Sequence, residues 1–369
     1  MHRKITSMSA LRPKKSIEKI KAHMLLAETD QYPAPRILLN SNESAFGPSV
    51  NAVNAATAAA ADLFRYLENP ASRLAPALAQ RYQVDQKRLT VGNGSDDLLA
   101  RLARVYLEPG TEMIRSKNGY LKAPNYAFAN GAEPISVEDD DLKPSVDNIL
   151  AAVTDKTRMV YLANPENPAG TYLSGSEIRR LHQSLPGEVL LVLDCAYEEY
   201  VDAEDYESGQ LLASIADNVV MTRTFSKIHG LAGARVGWML AAPEIIDLVN
   251  RIGLTFPLAS CSVAAALAAL KDKHHQKTVF EINRKLRQQF SEKMTHAGLK
   301  VYPSQTNFQL LKFENPDKTA IGCEDYLLKR GIVIRRLASP AYQDCIRVTI
   351  GLESQMKIAT EAITSYLNA

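Results

Sequence analysis

From residue 51 onward the chain alternates between two hydrophobic periods. Residues 51–64, NAVNAATAAAADLF, are alanine-rich with Val53 and Leu63 as bulkier contacts, and read as a helix. Residues 72–83 place Leu74, Ala75, Leu78, Ala79 and Tyr82 at helical spacing. Short apolar runs then alternate with amphipathic ones. LTVGN leads into DDLLARLARVYL, EMIRS into a helix around 123–131, and RMVYLA into SEIRRLHQSL, while EVLLVLD, VVMTRT and GWMLA are further β-rich runs. Parallel strands need crossover helices, so this rhythm predicts an α/β fold with a mostly parallel sheet flanked by helices. Past residue 260 the texture changes. One long helical stretch, SVAAALAALKDKHHQKTVFEINRKLRQQFSEKMTHAG, precedes alternating segments GLKVYP, NFQLLKF, GIVIRR and IRVTIG, which predict a smaller α+β domain. The expected division is an N-terminal segment over 1–45 that joins the small domain, a large domain over 46–260 and the small domain over 261–369.

Composition narrows the function classes. With 43 basic and 41 acidic side chains the net charge is +2, which gives no electrostatic footprint for nucleic acid or an anionic membrane. No apolar run approaches the roughly 18 residues of a membrane span, and the first residues lack the apolar stretch of an export signal. The basic N-terminus (HRK, RPKK, KIK) reads as a solvated arm, and Met8 competes with Met1 as the start. Cys195, Cys261, Cys323 and Cys345 are scattered with no CxxC, as in a reducing cytoplasm. The seven histidines form no HExxH, and His274-His275 reads as a solvent face, so no metal is expected.

Open parallel sheets bind ligands beyond the carboxyl ends of their strands. Here four strand ends carry GNGSDD, NPENPAG, DCAY and TFSK. The glycine turn before a helix offers the amides of Gly94, Ser95 and Asp96 to a phosphate. Asn167 supplies an amide on a proline-fixed loop. Asp194 ends a nearly all-apolar strand, where a carboxylate needs a cation or a proton donor, and Tyr197 follows three residues later. Thr224, Ser226 and Arg235 add two hydroxyls and a guanidinium around Lys227. A phosphate, a ring nitrogen, a 3-hydroxyl and an aldehyde satisfy this set together, which is the chemistry of pyridoxal 5′-phosphate. Lys227 is then the lysine that bonds the aldehyde and later moves a proton, Asp194 keeps the ring nitrogen protonated, and Asn167 and Tyr197 hydrogen-bond the 3-oxygen.

The order GNGSDD, NPENPAG, DCAY, TFSKIHGLAGARVG, RVTIG resembles the fold-type I aminotransferases, and among them the histidinol-phosphate aminotransferases. LLNSNESAFGPS and RYLENPASRLAPALAQRYQV match further family segments, so the likeness runs from about residue 37 to 360. It implies a pyridoxal-phosphate enzyme that passes an amino group from histidinol phosphate to 2-oxoglutarate, giving imidazole-acetol phosphate and glutamate in histidine biosynthesis. It also implies a homodimer with shared active sites, Tyr66 reaching the partner's cofactor phosphate. By the same resemblance Tyr120 stacks on the ring, with Tyr126 as competitor. Arg347 grips the substrate carboxylate and Arg335 the substrate phosphate, while Asn42 and Glu43 lie in the segment folding over the site.

Departures stand at NESAF for NENP, NPEN for NPNN, GSDD for GSDE, and SPAYQD for a glycine-rich turn. The first two are expected near the substrate lid and entrance, away from the cofactor. The competing functions are an aromatic or specialised-pathway aminotransferase and a threonine-phosphate-type decarboxylase on the same frame. A pyridoxal-phosphate-sensing regulator would need a DNA-binding domain ahead of residue 37. A nicotinamide enzyme would need GxGxxG, and would leave Lys227 unexplained.

Overall fold

The computed structural model describes residues 12–20, 36–67, 69–337 and 339–369; either start, Met1 or Met8, and the HRK segment lie outside them. In chain order the strands are β1 (Ile37–Leu38), β2 (Leu89–Gly92), β3 (Glu112–Ser116), β4 (Glu133–Val137), β5 (Thr157–Ala163), β6 (Leu190–Asp194), β7 (Val219–Thr224), β8 (Gly237–Leu240), β9 (Lys300–Val301), β10 (Phe308–Lys312), β11 (Ile332–Val333), β12 (Arg335–Arg336) and β13 (Cys345–Thr349). Seven of them form the large sheet in the order β2-β8-β7-β6-β5-β3-β4. Only β8 runs against its neighbours, so the sheet is mostly parallel, as the alternation predicts.

All strands of this sheet but the edge strand β4 are buried on both faces, which is why they read as continuous apolar runs. Their alternation still sorts side chains between two cores. Val160, Leu162, Leu191, Leu193, Val219 and Met221 point to one. Met159, Tyr161, Leu190, Val192 and Val220 point to the other. Asp194 continues the Leu190–Val192 face, and its register partner across β7 is Thr222. A period of two thereby decides which groups surround the carboxylate.

A four-stranded antiparallel sheet, β12-β13-β10-β9, lies in the C-terminal part. Its core joins Ile346 and Val348 with Leu286, Phe290, Ala359 and Ile363 of the helices Lys273–His296 and Glu353–Asn368. β1 pairs in parallel with β11, and the backbone continues into β13 through Thr349 N–H to the Leu39 carbonyl at 2.9 Å. Residues 39–43 are thus threaded between the two sheets.

Two expectations need correction. The long helical stretch is two helices, Ser260–Lys271 and Lys273–His296. Between them Asp272 leaves helical geometry at φ −83°, ψ 71°, and its carboxylate accepts the N–H of His275. A short acidic side chain that can cap a helix here outweighs continued periodicity. His275 is not on a free face either, since its Nε2 lies 3.2 Å from the Gly47 carbonyl oxygen. Similarly GIVIRR divides between two sheets, with β11 on β1 and β12 on β13.

Candidate active site

The carboxyl ends of β2, β3, β5, β6 and β7 open onto one cavity of about 380 Å³, the size of a small-molecule site. Ser95, Asp96, Tyr120, Asn167, Asp194, Tyr197, Thr224, Ser226, Lys227 and Arg235 line it from the large sheet, and Asn42, Glu43, Arg335 and Arg347 close the other side. Gly94 stands just behind the wall. Tyr66 does not face this cavity; it is 75% exposed and stacks on Phe256 at 4.1 Å between ring centres.

At the first turn Gly94 has φ 82°, a conformation glycine adopts freely, and precedes the helix Ser95–Tyr106. No side chain caps that helix, so its first-turn N–H groups and positive dipole end are open to a ligand. β8 approaches so closely that a Cβ on Gly237 would lie 2.3 Å from the Ser95 nitrogen. Facing this turn, Thr224 Oγ1 bonds Ser226 Oγ at 2.9 Å, and Arg235 Nη1 donates to the same Ser226 oxygen at 3.3 Å. Arg235 is held by the Ala232 carbonyl and has φ 53°. Free amides, two hydroxyls and a guanidinium on one spot fit a phosphate group.

Asp194 is buried, accepting from Tyr161 Oη at 2.9 Å and Thr222 Oγ1 at 3.0 Å. Burial pushes its pKa up to about 6, with those two hydrogen bonds pulling back. Such a carboxylate gains from a cationic partner, as a protonated ring nitrogen would be. Lys227 Nζ donates to the Asn42 carbonyl at 3.0 Å and lies 5.4 Å from the centre of the Tyr197 ring. Asn42, at φ 54°, donates its amide to Tyr197 Oη at 2.9 Å, while its N–H bonds Thr349 Oγ1 at 3.0 Å.

Of the two competing tyrosines, Tyr120 lines the cavity. Tyr126 lies behind it, donating to the Asp96 carboxylate. Burial alone would raise Asp96, yet the Lys122 ammonium at 2.7 Å and Tyr126 hold it below its ordinary value.

Arg347 and Arg335 are register partners on β13 and β12. Arg347 is buried, donating from Nη1 to Asn167 Oδ1 at 2.6 Å and from Nη2 to the Asn40 carbonyl at 2.9 Å, with Nε lacking a partner. Burial lowers its pKa to about 10, so it stays charged at neutral pH. Two arginines opposite one another in a sheet repel, and among the described residues no carboxylate forms an ion pair with either. Read as surface charges, this pair would be costly; facing a cavity, it asks for an anion. Its neighbour Arg336 is the exposed one and pairs with Glu324.

Sequence reading missed Tyr161 and Thr222, which hold Asp194, because their relation to it is one of sheet register. It also missed the Asn40 carbonyl, Lys122 and Arg115. Glu166, expected near the entrance, is instead 2% exposed beneath the cavity, where it accepts the N–H groups of Tyr120 and Asn167. Of NESAF, only Asn42 and Glu43 line the cavity, while Phe46 packs against the cluster of Tyr197, Tyr200 and Phe308. Among the described residues no cluster could hold a metal ion, and no helix is long and apolar enough to cross a membrane.

The profile of the aminotransferase class I and II family matches residues 34–363, and the chain belongs to that family. Within it the chain is similar to the histidinol-phosphate aminotransferase of Rhodospirillum centenum, 40% identical over 89% of this chain and 91% of that one. It is likewise 42% identical to the enzyme of the same name from Rhodopseudomonas palustris, over 89% of this chain and 90% of that one. Among solved structures, histidinol-phosphate aminotransferase from Sinorhizobium meliloti in complex with pyridoxal-5′-phosphate superposes with a TM-score of 0.91 at 30% identity, covering 98% of this chain and 99% of that one.

Proposed function

We propose that this chain uses pyridoxal 5′-phosphate to transfer an amino group between histidinol phosphate and 2-oxoglutarate. The observation that carries the substrate assignment is the opposed pair Arg335–Arg347 across the cavity from Lys227. Both amino donors of this pair of half-reactions are anionic away from the reacting carbon, glutamate through carboxylates and histidinol phosphate through its phosphate. One guanidinium fork suits a planar carboxylate and a second reaches a bulkier anion. The names of relatives that are 40–42% identical over nine-tenths of their length agree with this reading.

The cofactor, when bound, supplies an aldehyde that bonds amines and a ring that accepts the electrons left on the substrate's α-carbon. The chain does the rest. The first-turn amides at Gly94, Ser95 and Asp96, with Thr224, Ser226 and Arg235, bind the phosphate. Asp194 would keep the ring nitrogen protonated, and Tyr120 would pack against the ring. Asn167 and Tyr197 orient the 3-oxygen. Lys227 Nζ would hold the cofactor's aldehyde carbon and, as a free amine, would accept the proton from the substrate's α-carbon. Arg347 orients the carboxylate and Arg335 takes the phosphate, while buried Asn42 holds Lys227 Nζ with its carbonyl and Tyr197 Oη with its amide on the substrate's side of the cavity.

Homodimerisation belongs to the same proposal. Tyr66, Phe64, Leu63, Leu254 and Phe256 are exposed apolar side chains beside one stacked pair, and a second copy covering them would bring Tyr66 to its cofactor phosphate. We place the cofactor-holding part within 46–260 and the smaller part within 261–369, and the protein in the cytoplasm.

The test is an absorbance titration of the cofactor-loaded protein with single donors and no keto acid. Histidinol phosphate and glutamate should each convert the lysine-bound cofactor band to the amine form. Conversion only by aromatic amino acids would move the enzyme to another pathway, and release of carbon dioxide from a phosphorylated amino acid would make it a decarboxylase. A lysine-bound band that survives Lys227→Ala would refute Lys227 as the cofactor's attachment point, and a purified protein that takes up no pyridoxal phosphate would refute the cofactor assignment.

A further inference from the structure

Glu166 is a carboxyl group without an ion pair among the described residues, 2% exposed, on the loop after β5. Its Oε1 accepts two backbone hydrogen bonds, from Tyr120 at 3.0 Å and from Asn167 at 3.0 Å. These two N–H groups belong to different loops, and both side chains face the cavity. Oε2 packs against Gly119, where a Cβ would come within 2.6 Å of it. Glu166's own backbone is fixed in turn, with its N–H on the Thr171 carbonyl and its carbonyl on Gly170 N–H.

The loop carrying Tyr120 is tied from its other side as well. Arg115 Nη2 donates to the Gly119 and Tyr120 carbonyls at 3.1 and 3.4 Å, Asp139 accepts Asn118 N–H at 2.9 Å, and Tyr342 Oη donates to the Asn118 carbonyl at 2.6 Å. Arg115 and Asp139 are the charged groups that face Glu166, of opposite sign, and burial dominates over both. Its pKa is pushed up to about 8, so at neutral pH the group is mainly a neutral acceptor.

We propose that Glu166 is a positioning residue whose single oxygen sets the spacing between the ring of Tyr120 and the amide of Asn167 across the cavity. This rests on the aminotransferase reading, in which those two side chains grip the cofactor ring and its 3-oxygen. Glutamine places a carbonyl oxygen in the same position. Aspartate, one methylene shorter, cannot reach both N–H groups, and alanine reaches neither.

The experiment measures the dissociation constant of the apoprotein for pyridoxal phosphate, the position of the bound cofactor's visible band, and kcat and KM for glutamate. Glu166→Gln is expected within about threefold of wild type throughout, since the acceptor geometry is kept. Glu166→Asp and Glu166→Ala are expected to weaken cofactor binding and lower kcat by roughly tenfold or more, with a shifted band and a smaller change in KM. Should the alanine variant not fold, the comparison of Asp with Gln decides alone. Wild-type cofactor affinity and band in Glu166→Asp, or a Gln variant as impaired as Asp, would overturn the proposal. A wild-type protein that neither binds the cofactor nor transaminates would instead remove the reading on which it rests, and the proposal with it.

Discussion

Replacing Asp194 with asparagine separates the cost of a buried carboxylate from its use. In the protein without cofactor, burial raises Asp194 from 3.8 to about 6. A folded-state pKa above the unfolded one means that the folded chain keeps a proton the unfolded chain releases. Stability from this group is therefore full below about pH 4, falls as pH rises to 6, and stays low above it; the loss is roughly 3 kcal/mol. Asparagine is neutral throughout and has no such loss. Its amide can accept from only one of Tyr161 and Thr222, which costs about 1 kcal/mol for the other hydroxyl to find a new orientation. The apoprotein of Asp194→Asn should thus be the more stable by on the order of 2 kcal/mol at pH 8, with the advantage vanishing near pH 4. Thermal melts at both pH values read this directly. Cofactor should reverse the order, because a protonated ring nitrogen gives the carboxylate its partner, and transamination by the variant should fall by about 100-fold or more. An apo variant that melts below wild type at pH 8, or equal stabilisation of both by cofactor, would refute the reasoning.

Three further outcomes follow from the same geometry. Arg347→Lys loses the fork that spans Asn167 and the Asn40 carbonyl; kcat/KM for glutamate should fall by roughly 30-fold or more while the cofactor band keeps its position in the absorbance spectrum. Gly94→Ala forces φ 82° on a residue with a Cβ placed 2.6 Å from Arg235 Nη2, costing about 1–2 kcal/mol and weakening binding of pyridoxal phosphate but not of unphosphorylated pyridoxal in parallel apoprotein titrations. Phe256→Glu breaks the stack with Tyr66 and puts a charge in the exposed apolar patch, so sedimentation should show the proposed dimer replaced by monomer.

The parallel sheet was legible because its strands, the edge strand β4 apart, are buried on both faces and read as apolar runs, and the cavity because each strand end carries local turn chemistry. GNGSDD, NPENPAG, DCAY and TFSK converge for no reason beyond strand direction, and their convergence on one cavity is what the structure shows. Relations across the sheet were not legible. Thr222 opposite Asp194 is a matter of register, and nothing in VVMTRT marks its central threonine. Asp272 was hidden inside a helical pattern because a capping carboxylate and a solvent-facing one look alike in sequence. Glu166 misled in the opposite way: a charged residue in a proline-rich loop reads as exposed, and only the two N–H groups aimed at it make a buried position tolerable.

Arg347 links the two ends of the cavity. It stands on the antiparallel sheet, yet its two Nη atoms are held by Asn167 in the loop after β5 and by the carbonyl of Asn40 in the segment after β1. Three segments far apart in sequence thereby depend on one side chain. In the proposed reaction a substrate carboxylate must displace or share the Arg347–Asn167 bond, because the fork cannot offer the same N–H to both at full strength. Arg347 holds Asn167 through its Oδ1, so the Nδ2 of the same amide would be the atom that donates to the cofactor's 3-oxygen. Arrival of the substrate anion at one end would then be felt at the cofactor end through the Arg347–Asn167 hydrogen bond of 2.6 Å. Replacing Arg347 should accordingly weaken substrate binding most, and should also abolish any gain in cofactor affinity that a substrate-like dicarboxylate confers on the wild-type protein.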